Sequence, residues 1–168
     1  IPAFKNAVYW SNADHWKWAT EPNPREKASF LKENILPIQQ SGQLQLIGNR
    51  TGNAGLLDTV AFAPNMQVRF ADGHTDAMML PQLRYKGKTI VYMADLLPSV
   101  GHLPLPYVMA YDMFPLQTLK EKKEFLEEAA ANEYILYLEH DPINECCTVQ
   151  QTEKGVRLKD TFQLSEIL

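Results

Sequence analysis

The chain has 168 residues, 45% of them hydrophobic and 21% charged, with a formal net charge of −4. That is enough for one domain with a sizeable core, and the acidic balance offers no basic footprint for nucleic acid. No apolar run approaches the roughly 18 residues that would span a bilayer, and no secretory leader is visible, so the expected location is the cytoplasm.

In chain order, Phe4 to Trp10 reads as a strand, and Ser11 is placed to cap a short helix carrying Asp14, His15, Trp16 and Trp18. Asn23-Pro24-Arg25-Glu26 has the signature of a helix start, with Phe30, Leu31 and Ile35 on the helix and Pro37 ending or kinking it. Leu44 to Ile47 is a short strand, and the Gly- and Asn-rich stretch 49–55 is a loop. Thr59 to Phe62 and Met66 to Phe70 alternate as strands around Pro64-Asn65. Met78 to Tyr85 and Thr89 to Met93 form a hairpin turning at Lys86-Gly87-Lys88, and Pro81 points to an edge strand or a bulge.

The stretch from Leu96 to Phe114 is apolar and Pro-rich, a long loop of the kind that is functional or well packed. Pro115 opens a helix to about Ala131, with Leu119, Leu126 and Ala130 as its buried stripe and Lys120, Glu124 and Glu128 on its wet face. Tyr134 to Leu138 is a strand, and 148–151 with 156–159 close a hairpin around Lys154-Gly155. Cys146 and Cys147 are read as free thiols, one facing in and one out, which favours a reducing compartment. No repeat or linker is visible, and strands and hairpins around one long helix suit a mixed α/β (α+β) layer forming a single domain over residues 1–168.

Three short segments carry the chemistry: Gly73-His74-Thr75, Met93-Ala94-Asp95-Leu96 and Leu138-Glu139-His140-Asp141-Pro142. Each places a metal-binding side chain at the end of a strand-like run, where a rigid element can hold it. Three such ligands hold one metal poorly or supply half of a two-metal site. Read one at a time, each also has a plain structural role open to it, as a surface histidine, a turn cap or a solvated charge cluster. His102 in the long loop is either a substrate-facing or a hydrogen-bonded loop histidine. Asp112 is expected to cap the helix at Pro115, and Asp141 either orients His140 or caps the turn at Pro142. His15, Trp16 and Trp18 form an aromatic cluster expected to pack in the core.

In this order and spacing, together with Asp95 to Leu103 and Met109-Ala110-Tyr111-Asp112 with Pro115, the segments resemble the metallo-β-lactamase-fold hydrolases. Within that superfamily they are most similar to the branch of lactonases and methyl-parathion-hydrolase-like enzymes. The likeness covers residues 1 to about 161. It implies an αββα sandwich, of which this chain would be the C-terminal portion, with a mixed sheet and flanking helices. It implies His74, Asp95 and His140 as metal ligands, with Asp95 bridging two ions and His102 beside it in catalysis. The implied cofactor is Zn2+, two per complete site, with Fe or Mn as alternatives. The implied reaction is attack by metal-activated hydroxide on a lactone, ester or similar small molecule.

The family's His-x-His-x-Asp-His motif does not occur in the sequence. The expectation is therefore a truncated chain lacking the first strands of the fold, completed by an N-terminal fragment or by a second copy in a homodimer. The alternative is a non-catalytic fragment that folds by such association. Iron-dependent redox and sulfur-transfer members of the superfamily fit the segments after Asp95 less well. No nucleic acid or membrane partner is expected.

Overall fold

A computed structural model describes residues 2–47 and 59–167; the loop expected at 49–55 lies outside them. The chain divides into two compact units, residues 1–50 and 51–168.

In the first unit, β1 (Tyr9–Ser11) pairs in parallel with β2 (Leu44–Leu46), joined through helices α1 (Ala13–Thr20) and α2 (Lys32–Gln40). The strand expected from Phe4 is shorter than the apolar pattern implied, because residues 5–6 turn. Asn12, not Ser11, caps α1: its side chain accepts the His15 amide at 2.8 Å. Asn23 does accept the amides of Arg25 and Glu26 as an N-cap would, but only turns follow. The helix begins at Lys32 and contains Pro37 within it. His15 packs edge-on against Phe30, and Trp18 donates to the Glu26 carboxylate.

The second unit is built on a seven-stranded sheet whose spatial order follows the sequence: β3 (Thr59–Ala63), β4 (Met66–Ala71), β5 (Met78–Tyr85), β6 (Lys88–Tyr92), β7 (Ile135–Tyr137), β8 (Cys146–Thr152) and β9 (Gly155–Phe162). All neighbours are antiparallel except β6 and β7. A parallel pair needs a crossover, and this one runs through the long loop and helix α3 (Pro115–Ala131).

β5 is internal, and its pairing shows no bulge, contrary to the expectation from Pro81. The physical reason is which edge the missing donor faces. Arg84 donates its amide to Asn65 on the β4 side. Pro81, three residues away, turns its nitrogen the other way, where pairing with β6 has already ended at Gln82.

Period-two alternation carries core residues to both faces of the sheet. Leu80, Val91, Leu136, Cys147 and Val149 meet Phe125, Leu126 and Ala129 of α3 on one face. Their chain neighbours Ile90, Ile135 and Cys146 form a second cluster with Leu83, Phe162, Leu164 and Ile167. Both thiols are free and buried, so neither faces solvent as expected. The buried stripe of α3 is also rotated from the expected one, to Thr118, Glu121, Lys122, Phe125, Leu126 and Ala129. Glu128, expected to be wet, forms a two-pronged ion pair with the buried Arg69.

Candidate metal centre

Each candidate ligand follows a strand of the second unit. His74 lies just beyond β4, in a turn docked on the start of α3. Phe114 and Met113 donate their amides to the Gly73 and His74 carbonyls, at 2.8 and 3.1 Å. The Asp72 and Gly73 amides in turn donate to the two carboxylate oxygens of Glu121, at 2.8 and 3.0 Å. Burial pushes the Glu121 carboxyl up, opposed by these amides and by Gln117. Any side chain at position 73 would overlap the Thr118 backbone, so the close approach of turn to helix requires glycine there.

Asp95 lies in a 3-10 turn (Ala94–Leu96) directly after β6, where Ala94 takes a φ of 43°. Positive φ on a non-glycine residue is strained and marks a position held by its surroundings; here Met93 is tied to β7 through the Tyr137 carbonyl. His140 follows β7, and its amide donates to the Pro98 carbonyl at 3.1 Å. Asp141 caps the turn after it, accepting the amides of Ile143 and Asn144, and also binds the Val100 amide. Burial works against its charge, but these amides hold its carboxyl below the usual range. Turn-capping is thus the role its contacts show.

These three side chains meet. The Asp95 carboxylate lies between the two imidazoles, with Oδ2 3.4 Å from His74 Nε2 and Oδ1 3.3 Å from His140 Nε2. Charge-assisted N–H···O bonds are normally about 2.7–2.9 Å long. Two ligands on one tetrahedral ion, each about 2.0–2.1 Å from it, stand about 3.3 Å apart. The spacing therefore fits a shared cation better than a hydrogen bond, and one carboxylate oxygen addresses each histidine. The donor set of imidazole and carboxylate suits zinc and its neighbours.

Asp112 does not cap α3, whose N-cap is Phe114 without a side-chain bond. Fully buried, it accepts from His74 Nδ1 at 2.9 Å instead, and its other oxygen accepts the Met109 amide. A carboxylate on Nδ1 fixes the ring tautomer, so that Nε2 carries the lone pair with which an imidazole binds a metal. This role was missed in the sequence because nothing local links residue 112 to residue 74. Glu121 and Lys122 were missed as well, since charged residues inside a helix read as its wet face. The Lys122 side chain is instead buried, and its ammonium donates to the carbonyls of His102, Pro104 and Tyr107. That ties the Pro-rich loop to α3. The His102 ring bonds Ser99 Oγ at 2.9 Å. Burial and then the Lys122 charge push its pKa down.

No family model and no curated protein matches the chain. Solved structures do match. A probable metal-dependent hydrolase from Staphylococcus aureus superposes with a TM-score of 0.74 at 20% identity, over 95% of this chain and 55% of that one. The chain carries part of the metallo-β-lactamase fold. AbOPH, a hydrolase in the β-lactamase superfamily, gives 0.70 at 18% identity, over 94% of this chain and 56% of its own. AidC, a dizinc quorum-quenching lactonase, gives 0.66 at 16% identity, again over 94% and 56%. The chain thus spans a little over half the length of these neighbours. No helix among the described residues is long and apolar enough to cross a membrane.

Proposed function

We propose that the chain carries half of the metal centre of a hydrolase that opens lactones, esters or similar acyl bonds, with zinc as the metal. The observation that supports this best is the placement of Asp95, with one oxygen toward His74 and the other toward His140. A carboxylate so placed can serve two ions at once. His74, Asp95 and His140 would hold the metals, and the remaining ligands would come from a segment bearing the His-x-His-x-Asp-His motif, in the same polypeptide or an associated one. When bound, the metal pair supplies Lewis acidity and lowers the pKa of water.

The chain's own residues orient and hold. Asp112 fixes the His74 ring, Glu121 holds the turn that carries it, and Lys122 holds the loop bearing His102. His102, with its lowered pKa, is neutral at neutral pH and offers its ring to the substrate as a hydrogen-bond partner. In the complete enzyme, Asp95→Asn and chelation should each abolish lactone and ester hydrolysis. Full turnover by the chelated protein would refute the proposal.

A further inference from the structure

We infer that Glu139 is a metal ligand, joining Asp95 and His140 in a site of two carboxylates and one imidazole for a divalent cation. This extends the function proposed above and rests on it. The ligand atoms of Asp95, Glu139 and His140 lie within 4.8 Å of one another. Two carboxylates gathered beside one imidazole repel each other, and a cation among them removes that cost. Asp95 and His140 already stand at the spacing of two ligands on one ion, so Glu139 would add a third ligand from this chain.

Glu139 is also aimed. Tyr92, at the end of β6, hydrogen-bonds its carboxylate. A carboxylate has about four acceptor sites, so it can accept the phenol and still offer an oxygen to a metal. Glu139 and His140 are adjacent where the chain leaves β7, and Asp95 comes from the turn after the neighbouring β6, so the parallel pairing of these two strands assembles the site. The inferred ligand set is harder than one of histidines alone. It should favour oxygen-preferring ions such as Mn2+ or Fe2+ more than three histidines would.

The test is Co2+ titration of the metal-depleted protein, read by competition with a chromophoric chelator and by the visible Co2+ absorption, then repeated with Mn2+. Glu139 is exposed, so Glu139→Gln should leave the melting temperature of the metal-free protein unchanged. It should weaken Co2+ binding at least tenfold, alter the Co2+ spectrum and weaken Mn2+ binding more. Tyr92→Phe, which keeps the carboxylate but not its anchor, should weaken Co2+ binding by a smaller factor. His140→Ala marks loss of the site. If His140→Ala loses the ion while Glu139→Gln binds it with unchanged affinity and spectrum, Glu139 is not a ligand and the proposed function stands. If the unsubstituted protein binds no Co2+, these three residues do not form a site and the inference is overturned, whereas the proposed function, which draws its remaining ligands from the His-x-His-x-Asp-His segment, is refuted only by turnover of the chelated complete enzyme.

Discussion

Replacing Gly73 with alanine tests how the centre is held, with no change to a candidate ligand. The added methyl would lie closer than 3.0 Å to the Thr118 backbone, whereas ordinary Cβ contacts begin at 3.4 Å. The turn must therefore move by more than 0.4 Å away from α3, and helix backbone cannot yield as a flexible side chain would. Overpacking of this kind costs about 1–3 kcal/mol. The same movement stretches the two amide bonds to the Glu121 carboxylate, and losing one hydrogen bond to a charged group costs about 1.5–3 kcal/mol more. We expect a loss of about 3 kcal/mol in urea unfolding, together with weaker metal binding because His74 is displaced from Asp95. Gly101→Ala is the control. Its methyl would meet only Ser99 Oγ at 3.4 Å, so it should change stability by less than about 0.5 kcal/mol. Equal unfolding midpoints and equal metal affinity for Gly73→Ala and the unsubstituted protein would refute the account of the turn.

Asp112→Asn keeps the shape beside His74 but removes the charge, and should weaken metal binding by about 10–100-fold, as measured by chelator competition. Lys122→Met leaves the carbonyls of His102, Pro104 and Tyr107 without their donor. It should cost about 3 kcal/mol and expose the Pro-rich loop to limited proteolysis. Both cysteines should resist a thiol reagent in the folded protein and react fully in denaturant. Burial first, and nearby negative charge second, push Cys146 up to about 11 and Cys147 up to about 12 from an ordinary value of 9. The folded chain then keeps protons that the unfolded chain gives up, so this contribution to stability is whole below pH 9 and fades as pH rises through 11 to 12. Cys147→Ala should show a shallower decline in unfolding midpoint between pH 9 and 11 than the unsubstituted protein.

Much of the second unit was legible in the sequence because its signals are local. The Lys86-Gly87-Lys88 turn, the alternation of the flanking strands and Pro115 at a helix start each depend on a few neighbouring residues, and the observed elements follow them closely. What was not legible depends on tertiary contact. Pro81 reads as an edge residue until the position of the β6 ladder is known. Glu121 and Lys122 read as solvated until the loops that neutralise their burial are in place. Asn23 has the chemistry of a helix cap, yet the helix starts nine residues later, at Lys32. In the candidate site, the three proposed ligands were named by motif, but the contact of Asp112 with His74 and the grouping of Glu139 with Asp95 and His140 emerged only when residues far apart in sequence were brought together.

The central claim is that Asp95 joins His74 and His140 around metal. It is tested most directly by elemental analysis of the purified protein after exposure to Zn2+ and exhaustive buffer exchange, with Asp95→Asn alongside. The account predicts Zn2+ retained by the unsubstituted protein and a clear loss in Asp95→Asn, at equal unfolding midpoints for the two metal-free proteins. Equal zinc in both proteins, or none in either, would contradict it.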